Sequence, residues 1–149
     1  MGAVSFDNGM EGRQSMNKTY SGSCHCGAVR FEVDMDFATG TSKCNCSICR
    51  KTRAWSAIVK PAAFRLLEGE NALSDYQFGG KNGHHLFCEH CGVRPFGRGY
   101  VEQIGGHYVS INLAALDNAS DEELGAAPVQ FMNGRDNDWF NVPSETRYL

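Results

Sequence analysis

"GSCHCGAVRFEV", residues 22–33, joins a pair of cysteines to a stretch of strict alternation. Val29, Phe31 and Val33 fall on one side of an extended chain, and Arg30, Glu32 and Asp34 on the other, which is the period of a half-buried strand. A strand therefore begins just past Cys24 and Cys26, and whatever those thiols hold is tied to a sheet. The pattern returns in HYVSINLAAL (107–116), where Val109, Ile111 and Leu113 oppose Tyr108, Ser110 and Asn112.

Between these two strands the chain reads as further short strands. WSAIVKPAAFRLL (55–67) is apolar but interrupted by Pro61, SDYQF (74–78) is short and aromatic, and HHLFC (84–88) runs into another cysteine. Breakers at Gly69, Gly79-Gly80, Asn82-Gly83, Gly97, Gly99 and Gly105-Gly106 come at the short intervals of antiparallel sheets. Ser120 with Glu123 three residues on is a capping box, and Gly125 and Pro128 end that helix within about two turns. The fold expected is one mostly β, antiparallel domain with short helical segments.

The chain has 149 residues, 42% hydrophobic and 11% aromatic, enough for one sizeable core. Met1–Asn17 is rich in Gly, Asn, Ser and Met without periodicity and is expected to be a flexible tail, leaving residues 18–149 as a single domain. A net charge of -3 with no long run of like charge gives no reason to expect nucleic acid or an anionic membrane as partner. No stretch has the length of a signal peptide's apolar segment or of a membrane span, so a soluble, cytoplasmic protein is expected.

Seven cysteines, grouped two, three and two, are an odd number and do not resemble a secreted disulfide framework. In a reducing compartment clustered thiols point to metal. Cys24 and Cys26 with Cys88 and Cys91 make a closed four-cysteine zinc site. Closing its loop costs about 3 to 4 kcal/mol in the simple chain model, against about 10 to 16 kcal/mol of apparent binding energy in small structural zinc sites.

Cys44, Cys46 and Cys49, in SKCNCSICRKTRAW (42–55), are then left for a second ion with one coordination position open, as catalytic zinc sites have. Spacing alone leaves other partitions open: Cys24 and Cys26 could join two of the middle cysteines, and His84, His85 or His90 could supply a fourth ligand. His25 and His90, set between cysteines, are expected to point away from any ion. Three thiolates around Zn²⁺ leave a net charge of -1, a poor arrangement for activating water but one that suits a visiting thiol, held deprotonated yet still nucleophilic.

GSCHCGAVRFEV, KCNCSICRK (43–51) and FCEHCG (87–92), in that order, resemble the glutathione-dependent formaldehyde-activating enzymes, the family to which centromere protein V also belongs. The similarity continues through PFGRG (95–99), YVSINLAALD (108–117) and APVQFMNGRDNDW (127–139). The resemblance implies a β-tent fold, a structural zinc on Cys24, Cys26, Cys88 and Cys91, and a catalytic zinc on Cys44, Cys46 and Cys49. It also implies a carbon-sulfur lyase of the S-(hydroxymethyl)glutathione synthase type, joining glutathione as co-substrate to formaldehyde. The alternatives are a related aldehyde or glutathione conjugate at the same zinc, or a non-catalytic scaffold with two structural zincs.

Glutathione carries two carboxylates, and Arg50, Lys51 and Arg53 follow the thiol trio directly, making them the candidate binding residues. Trp55 is expected to fill core or wall the pocket, and Phe96 to pack. Arg94 and Arg98 could reach the site from a loop. NGRDNDW (133–139) lacks the spacing of an EF-hand and is expected to be a turn. No general acid can be identified from the sequence, and it carries no signal for oligomeric state.

Overall fold

The computed structural model describes residues 17–149. The tail expected over Met1–Asn17 lies outside the described residues except for Asn17. Among the described residues the chain forms ten strands: β1 (Lys18–Ser23), β2 (Arg30–Met35), β3 (Thr41–Cys44), β4 (Ser56–Val59), β5 (Phe64–Glu68), β6 (Leu73–Tyr76), β7 (His84–Cys88), β8 (Phe96–Val101), β9 (Gly106–Asn112) and β10 (Val129–Met132). Two one-and-a-half-turn helices, α1 (Ser47–Thr52) and α2 (Asp121–Ala126), complete it together with short 3₁₀ turns.

The strands make two sheets, one in the order β1-β2-β5 and a larger one in the order β10-β3-β4-β9-β8-β7-β6. In β2 the alternation works as the sequence implies, with Phe31 and Val33 fully buried and their neighbours partly open to water. Phe31, Phe64 and Phe96 join the two sheets through ring contacts at centroid distances of 5.5, 5.9 and 4.6 Å. Beneath this cluster Gly22 of β1 leaves room for the Phe31 ring, which a Cβ at that position would strike.

One pairing departs from the antiparallel expectation: β10 runs parallel to β3, Val129 opposite Thr41 through Met132 opposite Cys44. The chain can reach that register only by returning from a distant segment, which local sequence pattern does not reveal. Thr41, buried, fixes the junction by donating its N–H and its hydroxyl to the Pro128 carbonyl at 2.8 and 2.7 Å. The capping box forms, with Glu123 N–H donating to Ser120 Oγ and Ser120 N–H donating to the Glu123 carboxylate.

Candidate metal centres

Cys24 and Cys26 lie in the turn between β1 and β2 of the smaller sheet, while Cys88 and Cys91 span the end of β7 and the tight turn after it in the larger sheet. The turn at Cys88 closes through Gly92 N–H to the Cys88 carbonyl, with Gly92 at φ 78°, a conformation glycine adopts without Cβ strain. All four sulfurs lie within 4.8 Å of one another, with Cys26 Sγ 3.7 Å from both Cys24 Sγ and Cys88 Sγ. A tetrahedron with Zn–S bonds of about 2.3 Å has edges of about 3.8 Å, so the quartet fits an ion without rearrangement.

The backbone also suits thiolates here. Val29 N–H points at Cys24 Sγ at 3.3 Å. The Cys91 thiol is pulled down to about 6, chiefly by the Val93 N–H and next by that of Cys26. His25 and His90, between these cysteines, are exposed.

Cys44 ends β3, Cys46 is the residue before the first turn of α1, and Cys49 sits in that turn, so strand end and helix start bring three sulfurs within 4.8 Å. No further His, Cys, Asp or Glu joins this group among the described residues. The protons are unequally held: Cys46 is drawn down to about 2 by Cys44 and then Cys49, while Cys49 is pushed up by Cys44 and then Cys46. Such a trio keeps one thiolate easily and resists a second, a conflict that a dication would remove. Both clusters could hold a metal ion.

Residues 133–139 form the trio's floor. A Cβ on Gly134 would stand 2.6 Å from Cys44 Sγ and 2.6 Å from the Trp139 ring, so only glycine allows this approach. Asn45, buried, ties the loop down by donating to Asn133 Oδ1 and accepting from the Arg135 N–H, both at 2.9 Å. The stretch expected to be a simple turn is a 3₁₀ turn that walls the thiols, and the sequence carried no signal of that contact.

A cavity of about 460 Å³ opens at Cys49. Trp55 forms part of its wall, donating Nε1–H to Thr41 Oγ1 at 2.8 Å while packing on the core. Arg94 enters from the loop before β8, where Asn112 of β9 donates to its carbonyl at 2.7 Å. Among the described residues Arg94 has no salt-bridge partner; burial pulls its guanidinium down and the charges of Cys49 and Cys46 push it up. Tyr108 of β9 shares the cavity, its phenol pushed up by burial and then by Cys49, and the described residues offer its hydroxyl no hydrogen bond. No carboxylate lines the cavity among the described residues.

The three basic residues after the trio separate. Arg53, at φ 51° where α1 ends, lines the cavity and donates to the Tyr148 carbonyl at 3.3 Å. Arg50 rests its guanidinium 5.7 Å from the Tyr148 ring, and Lys51 stands exposed on α1. Arg98 belongs to β8 rather than to a loop, and its guanidinium lies over the Phe64 and Phe96 rings at 5.7 and 5.4 Å.

Residues 19–133 match the family model described as glutathione-dependent formaldehyde-activating enzyme. A curated Halomonas elongata protein, provisionally named a glutathione-dependent formaldehyde-activating enzyme, is 61% identical over 31 residues, 21% of this chain and 20% of the relative. The chain thus spans about a fifth of that relative's length in the match. The crystal structure of a Rhodobacter sphaeroides protein is also similar, with a TM-score of 0.62 and 32% identity over 74% of this chain and 99% of that one. No helix among the described residues is long and apolar enough to cross a membrane.

Proposed function

Because the chain belongs to the glutathione-dependent formaldehyde-activating enzyme family, we propose that residues 18–149 act as one catalytic domain that adds the glutathione thiol to formaldehyde, giving S-hydroxymethylglutathione. The class is that of carbon-sulfur lyases, and the thiol-rich cytoplasm is the compartment that supplies the co-substrate. Cys24, Cys26, Cys88 and Cys91 would hold a structural zinc, and Cys44, Cys46 and Cys49 a second zinc. The observation that carries this reading is that three thiols gather with no fourth ligand among the described residues, and that one of them, Cys49, opens to a cavity containing an unpaired cation and an unpaired phenol.

A zinc held by the trio would supply an open coordination position at which an external thiol stays deprotonated at neutral pH. The remaining work falls to side chains. Arg94 and Arg53 attract and orient glutathione's carboxylates, Arg94 the more strongly because it is half-buried and has no competing acid. As the sulfur attacks the formaldehyde carbon, the C=O electron pair moves to oxygen. Tyr108 donates its proton to that oxygen and recovers one from water. A phenol held above its ordinary range remains protonated at neutral pH and so has a proton to give to the developing alkoxide. Trp55 closes the cavity's side against water.

The deciding experiment is an NMR exchange measurement of formaldehyde with glutathione, because the uncatalysed addition sets the blank. The zinc-loaded protein is expected to raise the exchange rate above it. Equal rates with and without protein, in material carrying two zincs per chain, would leave the fold as a zinc-stabilised binding module and remove the enzyme.

A further inference from the structure

The larger sheet has a second cavity on its other face. Across β7, β8 and β9 the register sets His84 opposite Arg98 and Arg98 opposite Val109, with Tyr100 opposite His107 in a parallel row. His85, Gly97 and Ser110 form the alternate row, together with Gly99 and Tyr108. Strand alternation sends these two sets to opposite faces. Ser110 belongs to the thiol cavity, whereas Tyr100, His107 and Val109 line a crevice of about 540 Å³ that also takes in Phe64 and Leu66 of β5 in the smaller sheet. His84, Arg98 and Tyr108 line both cavities, which adjoin at these three residues, while no cysteine of the trio lines the crevice.

The crevice has an apolar floor and a cationic rim. Phe64, Leu66 and Val109 form the floor. Arg98 lies across Phe64 and has no salt-bridge partner among the described residues, and Lys81 stands exposed on the rim, with no Asp or Glu in the lining. The rim is braced: Asn82 donates its side-chain amide to the Tyr100 carbonyl and accepts from the Tyr100 N–H. His84 is fixed by donating Nδ1–H to Asp75 Oδ2 at 2.6 Å. In a chain of net charge -3, a carboxylate-free crevice with two cations over an aromatic floor is complementary to a negative head on a flat apolar body.

We infer that this crevice is a second ligand site, separate from the thiol trio, that takes a small organic anion whose apolar body rests on Phe64, Leu66 and Val109 and whose charged head pairs with Arg98. A planar anion slides beside a guanidinium already stacked on the floor, so that both meet the ligand without displacing a protein ion pair. The site depends on nothing assumed about the reaction at the trio.

The test is an amide NMR titration of the full zinc-loaded chain with 2-naphthoate, using 2-naphthamide as the uncharged isostere. Saturable shifts are expected at Leu66, Tyr100 and His107, with a dissociation constant at or below about 1 mM. The amide probe and Arg98→Gln should each weaken binding about tenfold, and Leu66→Trp, which fills the floor, should block it. Saturating glutathione should leave the naphthoate in place. Absence of saturable shifts by about 10 mM, equal binding of the two probes, indifference to Arg98→Gln, or displacement by glutathione would each overturn the assignment. Arg98 is exposed and covers the Phe64 and Phe96 rings only from outside, and the aliphatic stem of Gln keeps part of that cover, so this variant remains informative if Leu66→Trp misfolds.

Discussion

Tyr108 lies across Gly99 on the neighbouring strand, so closely that a Cβ on residue 99 would collide with the phenol oxygen and stand 2.6 Å from Cζ. The missing side chain on β8 lets the Tyr108 ring lie flat on the sheet and reach toward Cys49. If Tyr108 is the proton donor, Tyr108→Phe should slow the enzyme-dependent exchange by about ten- to a hundredfold, with zinc content and glutathione affinity unchanged. Gly99→Ala should produce the same loss through misplacement of an intact phenol, which a rate measurement beside a metal assay would reveal. A Tyr108→Phe variant at full rate would return proton donation to solvent.

The two thiol clusters should differ in what their loss does. Cys46→Ser is expected to lower zinc from two per chain to one and to abolish glutathione binding, while the circular dichroism spectrum and melting temperature stay close to those of the parent. Cys88→Ser, in the quartet joining both sheets, should lower the melting temperature sharply or prevent folding. Metal analysis and thermal melts on the two variants check both halves of this prediction.

Arg94→Gln removes the half-buried cation beside the trio without touching a thiol. Glutathione should bind about tenfold or more weakly, seen as a raised KM, whereas the same change at exposed Lys51 should have little effect. A calorimetric titration of each variant with glutathione separates them.

Glu123 links α2 to the smaller sheet, pairing with Lys18 at 2.7 Å and accepting from the Tyr20 hydroxyl at 2.8 Å. Lys18, then the Ser120 N–H, then Tyr20 hold its carboxyl near 2 instead of the usual 4.5. A depressed carboxyl contributes stability that is present above pH 4.5 and is lost as pH falls toward 2. Glu123→Gln should therefore be less stable than the parent at neutral pH and approach it in acid, a convergence that denaturant melts across this range would show.

Gly22→Ala should cost about 1 to 3 kcal/mol, because the added methyl meets the ring of fully buried Phe31 and that core cannot give way cheaply. Chemical denaturation is the measurement.

The clearest sequence signals were those with a strict local period or cap. The alternation over Val29, Phe31 and Val33 and over Val109, Ile111 and Leu113 maps onto buried rows, HHLFC coincides with β7, and the Ser120 capping box forms. β1, with KTYSGS, carries too few apolar residues to announce itself, yet Tyr20 and Gly22 face inward because β2 supplies the hydrophobic partner. β3 and β10 are four residues each and acquire their register only from each other. At the site, thiol spacing reveals the groups of cysteines. That Gly134, Arg94 and Tyr108 approach the trio depends on long-range pairing, which leaves no local trace.

The floor beneath Cys44 bears on how the protein is made. Asn45 and Asn133, whose bond anchors that floor, are 88 positions apart, so on a ribosome the three thiols emerge on the order of 10 s before their cover does. Cys91 appears well within that interval, so all four cysteines of the quartet are out while Cys44 is still uncovered. The order of synthesis thus completes the quartet that ties the two sheets before the segment that covers Cys44 exists.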